Sequence, residues 1–349
     1  KWQNLKLDSP YFWFVPKDFS NAEYENFWAL AKNKALGESK AIFENNNIGV
    51  KTAQDKVCIA FNKNTMQHIV SDFANLERSK IATKYQIKDS TQWSIQKAKN
   101  EIIESLDYHE SADADSRNDK SPNPSLRGSI ATEAIQNKIH KIAYRPFDIR
   151  YTFYSGKQGF LDRPAYKTMK HFIGNENLGI CFSKDCVKPY FDNAIISNTM
   201  ADIHFNGDTY IAPLYCYDSN LDKQSKTPNF TQEFSAFIAK HKVLKNKTPE
   251  QILAFIYANL YNPAYRAKYL EYLKIGFPRI NFDIGESKFE KYANLGQNLI
   301  DLHLSKTIPK DKEIDLKFRN GADKSSPNFT LDKPKYEPNL NKIILNAQI

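Results

Sequence analysis

A mixed α+β fold, in which a β-rich module sits between helical segments, is predicted by three features of this sequence. Apolar residues recur at helical spacing before residue 107 and again after residue 229. Short apolar runs bounded by Gly, Asn, Asp or Pro fill residues 142–217. A polar, Pro- and Ser-bearing stretch at 107–129, nearly free of large apolar groups, predicts a loop or disordered insertion between the two patterns.

The elements follow in order. Residues 1–62 open on the aromatic cluster Tyr11, Phe12, Trp13 and Phe14, and an amphipathic stretch from Asn21 to Leu36 predicts a helix stopped at Gly37. Asn45-Asn46-Asn47-Ile48-Gly49 then reads as a turn. Lys56 to Phe61 reads as a strand that buries Val57, Ile59 and Phe61. This region is expected to be a junction. Over 63–141 a helical spacer is expected, with Met66, Ile69, Val70, Phe73 and Leu76 on one face and a second helix from Trp93 to Leu106. A short helix, Ala131 to His140, leads into the β-rich module at 142–217, and a polar linker from Asp218 to Asn229 closes it. The remainder, 218–349, is expected to be mainly helical: Phe230 to Lys242, Thr248 to Leu260 with Pro at its first position, Pro263 to Leu273, and Lys288 to Leu304. It ends in irregular strands, the last of which, in the closing apolar run, should pair within the chain.

Composition narrows the partners. With 349 residues the chain is long enough for two domains or one large one. No apolar run approaches the roughly 20 residues of a membrane span, and no signal architecture opens the chain, so a cytoplasmic location is expected. Its start, without Met and directly in an aromatic cluster, suggests a piece of a longer protein. Cys58, Cys181, Cys186 and Cys216 form no CxxC pair, and no His lies at zinc-ligand spacing, so free thiols and no metal site are expected. Net charge is +9, which favours acidic partners. Between Lys138 and Lys188 lie ten basic and four acidic residues, so two thirds of that charge sits in about one seventh of the chain.

Catalytic signatures are scarce. There is no Gly-x-Gly and no GxxxxGK[ST] loop. Asn262-Pro263-Ala264-Tyr265 is one residue away from the Asn-Pro-Pro-Tyr of adenine-N6 methyltransferases, but it sits between helical segments with no glycine loop upstream and reads better as a helix start. Glu-x-Lys occurs at Glu38–Lys40 and Glu286–Lys288, yet Asp283 is too close to Glu286 for a nuclease hairpin. No catalytic residue is assigned.

Tyr144-Arg145-Pro146-Phe147-Asp148-x-Arg150, then Arg163-Pro164, Thr209-Tyr210-Ile211-Ala212-Pro213-Leu214-Tyr215, Leu260 to Arg266 and Phe277-Pro278-Arg279-Ile280 carry a resemblance. With Ile48-Gly49-Val50-Lys51-Thr52-x-x-Asp55 upstream and Leu302-His303-Leu304 downstream, they look like the C-terminal specificity region of Type ISP and Type IIG-like single-chain restriction-modification enzymes. The resemblance implies a target recognition module for double-stranded DNA, working beside an adenine-specific DNA methyltransferase domain and a restriction endonuclease elsewhere in the parent chain. It also implies S-adenosylmethionine and Mg2+ for that parent, and no cofactor here.

The residue chemistry agrees, because Lys and Arg neutralise phosphates while Arg, Asn and Gln read base edges. Arg150, Lys157, Arg163 and Lys167 surround the turns at Gly156 and Gly159 and are the first DNA-binding candidates. Lys184, Lys188, Asn198 and His204 come next. Arg145 either contacts DNA or pairs with Asp148. Two other readings stay open: a module that docks on an acidic protein partner, and a stand-alone DNA-modifying enzyme.

Overall fold

The computed structural model describes residues 20–32, 40–114, 133–186, 188–217, 226–307, 335–337 and 342–344. It divides into two compact units, Lys1–Thr307 and Ile308–Ile349. Both helices and sheets build it, as an α+β chain requires.

In the first unit a single helical turn, Ala22–Asn26, precedes β1 (Trp28–Ala29) and β2 (Asn47–Ile48). The helix expected from Asn21 is thus only a turn, because Trp28 and Ala29 pair with Ile280 and Arg279; this long-range pairing overrides local amphipathicity. Residues 33–39 lie outside the described set. The strand expected at Lys56–Phe61 is instead α1 (Asp55–Cys58), followed by one bridge from Ala60 to Tyr151. Alternation misled there: Val57 and Ile59 are buried but Phe61 is 74% exposed.

α2 (Lys63–Asn75), α3 (Arg78–Tyr85) and α4 (Ile95–Ala114) form the helical layer. Asn62 caps α2 by accepting from the Thr65 amide. α4 runs eight residues into the expected loop, since no Gly or Pro interrupts Asp107–Ala114; residues 115–132 lie outside the described set. A helical stretch at 133–137 then delivers β3 (Ile139–Arg145), which pairs antiparallel with β4 (Asp148–Phe153). The turn between them places Pro146 before Phe147 at φ 63°, a conformation that costs a non-glycine residue roughly 1 kcal/mol.

Next come α5 (Tyr166–Met169), β5 (Gly179–Phe182), β6 (Ala194–Ser197), β7 (Met200–Ala201), β8 (Tyr210–Pro213), β9 (Tyr215–Tyr217) and β10 (Lys226–Pro228). Part of the expected linker is therefore a strand paired to β9. The C-terminal helices are α6 (Gln232–Lys240), α7 (Pro249–Tyr261), α8 (Pro263–Lys268) and α9 (Leu270–Leu273), then β11 (Arg279–Ile280) and α10 (Glu286–His303). In α7, Pro249 opens the helix inside a full capping box between Thr248 and Gln251.

A four-stranded sheet, ordered β2-β8-β5-β6, divides two cores. Ile180, Phe182, Ala194, Ile196 and Ala212 enter one core with α6, α7 and α10. Cys181, Ile195 and Ile211 enter the other with α2, α4, β3 and β4. The register agrees: Ile180 faces Ile196 and Ala212, and Cys181 faces Ile195 and Ile211. The first core draws on residues from both sides of 142–217, whereas the second draws on that stretch and on residues before it. The second unit contains a hairpin, β12 (Lys335–Glu337) with β13 (Lys342–Ile344), so the partner of the terminal strand lies close by in sequence.

Candidate nucleic-acid interface

Sequence stretches more than a hundred residues apart converge beside the N-terminal end of β8. Gly49 donates to the Thr209 carbonyl, Val50 bridges Asp202, and Lys51 exchanges both backbone hydrogen bonds with Arg163. The approach at Gly49 is too close for a side chain, since a Cβ there would sit 2.6 Å from the Asp202 carbonyl oxygen. Lys51 Nζ pairs with Asp162 at 3.0 Å and donates to Gln92 at 2.7 Å.

Two of the candidate arginines are already engaged. Arg145 pairs with Asp202 at 2.8 Å rather than with Asp148, and its guanidinium lies 4.0 Å from the Tyr144 ring centroid. Burial raises the Asp202 carboxyl while Arg145 and the His204 amide oppose that shift. Arg150 takes Asp148 instead, its Nε donating to both carboxylate oxygens at 3.0 and 2.9 Å. Its guanidinium also lies 4.1 Å from the Phe61 ring and 4.3 Å from Tyr144. Phe61, Arg150, Tyr144 and Arg145 therefore form a run of alternating aromatic and cationic groups, tied at one side by Tyr144 Oη donating to Asp55 at 2.6 Å.

Other candidates are looser. Lys157 is exposed and makes a long ion pair with Glu104, 3.6 Å. Arg163 and Lys167 are exposed and Lys184 half-buried, and none of the three has an ion-pair partner among the described residues. Lys188 pairs with Asp192 at 2.7 Å. His204 Nδ1 stands 3.7 Å from Asp208.

The sheet sorts them by position. Lys184, Lys188 and His204 lie near the end where Phe182 meets Ala194 and Tyr210, and the Arg163–Lys51–Asp202 group adjoins it. Asn198 follows the opposite end, where Gly179 meets Ser197. Lys167 is at that end too, its carbonyl accepting from Asn45 while Asn229 bonds both Asn45 and Pro213. Asn198 lines an open cavity of about 460 Å³ together with His140, Lys141, Ile149, Thr199 and Leu304. Burial, aided by the charges of Lys138 and Lys63, pushes the His140 imidazole down to about 4. Exposed Lys141, absent from the sequence-based candidates, carried only the general basic signal; Phe61 was masked by its place in an apparent strand.

Residues resembling catalytic motifs are used structurally. Asn262 caps α8, accepting from the Ala264 amide at 2.9 Å and donating to Tyr292 at 3.1 Å, which leaves it no fit to a base-holding role. Glu286 and Glu290 both pair with Lys247, which does not fit a metal centre. Among the described residues no helix is long and apolar enough to cross a membrane.

Three solved structures share the fold. LlaBIII, a Type ISP restriction-modification enzyme bound to DNA, aligns at TM-score 0.64 and 20% identity over 99% of this chain and 20% of its own. A nuclease-deletion mutant of LlaGI with a DNA substrate mimic gives 0.62 and 21% over 99% and 29%. The DrdV–DNA complex gives 0.59 and 21% over 87% and 28%. The chain thus spans less than a third of each of these proteins. No curated protein sequence matches it. The family model described as the Type ISP C-terminal specificity domain matches residues 41–349, and with nearly the whole chain covered, this chain belongs to that family.

Proposed function

We propose that this chain reads a double-stranded DNA sequence for a restriction-modification enzyme, and so positions an adenine-N6 methyltransferase and a nuclease carried elsewhere in the parent chain. Its membership of a specificity-domain family carries the proposal. The DNA complexes formed by LlaBIII, LlaGI and DrdV support it. So do Arg163, Lys167 and Lys184, cations left without an ion-pair partner among the described residues and able to take phosphates. S-adenosylmethionine and Mg2+ serve the parent's catalytic domains, and a cytoplasmic enzyme is the setting that fits them.

Titration of the chain against random-sequence duplex DNA over a range of salt tests this. Counterion release makes the logarithm of affinity fall linearly with the logarithm of salt, by roughly 0.9 per neutralised phosphate. A salt-independent affinity sinks the DNA reading and leaves docking on an acidic protein domain. Heat on mixing with S-adenosylmethionine or Mg2+ alone would instead favour a stand-alone enzyme.

A further inference from the structure

We propose that Glu101, deep in the helical layer, is a positioning residue for DNA binding: it fixes the turn that holds Lys157 against a phosphate. The inference rests on the DNA reading above.

Glu101 lies on α4 and is only 5% exposed. One carboxylate oxygen accepts from the Ser155 hydroxyl, and the other accepts from the Phe160 amide. The two donors bracket the turn 155–160, so a single side chain sets the distance between its ends. The turn is gripped elsewhere as well. A Cβ at Gly159 would lie 2.7 Å from Glu101 Cβ and 2.9 Å from the Lys97 carbonyl, so the backbone rests directly on α4. Gly156, at φ +83°, passes under the Tyr166 ring, where a Cβ would meet Cδ2 at 2.4 Å. The Phe160 carbonyl accepts from Trp93 Nε1 and Cys58 Sγ, both at 2.9 Å. Within the turn the Lys157 amide donates to Ser155 Oγ at 3.0 Å.

Between residues 155 and 160 only Lys157 and Gln158 are exposed. Lys157 meets Glu104 at 3.6 Å, with 63% and 64% of the two side chains exposed. Such a pair is weak and yields readily to a phosphate. A buried carboxylate is costly to keep, and an apolar residue would fill the same space at less cost. What a carboxylate alone does is accept at both oxygens together; glutamine keeps the volume but accepts at one. The arrangement prepays the ordering of the Lys157 backbone, which lowers the entropy lost on binding.

A double-mutant cycle in the 349-residue chain tests this, with random-sequence duplex DNA titrated across salt. Lys157→Gln should flatten the salt slope by about 0.9 and weaken binding roughly eightfold at about 0.1 M salt, the loss of one phosphate contact. Glu101→Gln should flatten the slope in the same sense, and the double variant should bind no worse than Lys157→Gln. Additive losses, or an unchanged slope in a folded Glu101→Gln protein, overturn the proposal. Should Glu101→Gln not fold, Ser155→Ala removes one of the two hydrogen bonds and carries the same cycle. Salt-dependent binding by the unsubstituted 349-residue chain, with Lys157→Gln changing nothing, refutes the positioning role but spares DNA recognition. Binding by the unsubstituted 349-residue chain that does not change with salt refutes DNA recognition itself.

Discussion

Two arginines of the β3–β4 hairpin are committed before any ligand arrives. Arg150 holds both oxygens of Asp148 and lies against Phe61 and Tyr144, while Arg145 holds Asp202. Arg150→Gln should therefore cost about 1–2 kcal/mol of stability in urea unfolding, with little effect on the salt slope of DNA binding. Arg163→Gln and Lys167→Gln should do the reverse, leaving stability within about 0.5 kcal/mol and lowering the slope by about 0.9 each. His140 makes a pH prediction. Its folded-state value of about 4 lies below the ordinary 6.5 of an imidazole, so the unfolded chain binds more protons between those values, and stability falls as pH drops through that window. His140→Gln should flatten the loss, which can reach roughly 3 kcal/mol, in urea midpoints measured from pH 7 to 4. The basic run from Lys138 to Lys188 was legible in sequence, but which cations stay available was not. Their partners, Asp202 for Arg145 and Glu104 for Lys157, lie 57 and 53 residues away and meet them only through folding.

Among the elements, α7 and α10 pack backbone against backbone. A Cβ at Gly296 would fall 1.8 Å from the Ala254 carbonyl, so Gly296→Ala must separate the helices. A loss of about 1–3 kcal/mol is expected, read as a lower thermal midpoint. Thr248→Ala should cost about 1 kcal/mol by removing the capping box of α7, and Thr248→Ser should restore most of it. Helices such as α2, α7 and α10 were readable because helical spacing and caps are local. The segment around Asp55–Phe61 was not. Its apolar residues alternate like a strand, yet Thr52 hydrogen-bonds Asp55 and Tyr144 reaches the same carboxylate, which hold a helical turn there. β1 was equally hidden, because its partner lies about 250 residues on.

Across the first unit, the sheet β2-β8-β5-β6 belongs to both cores, so neither should melt alone. Ile211→Ala, a deletion on the face toward α2 and α4, should cost about 2–4 kcal/mol and lower hydrogen-exchange protection of α2 and α7 together. Loss confined to α2 would contradict a common core wall. The same sheet is also a ruler. β5, β6 and β8 are each four residues long, about 13 Å, and candidate contacts stand at both ends. Duplex DNA rises 3.4 Å per base step, so this length equals roughly four base steps. A strand buried on both faces cannot gain one residue without turning every side chain into the wrong core. The spacing between the two rims is therefore the rigid quantity of this fold, while the residues standing on the rims are free to change.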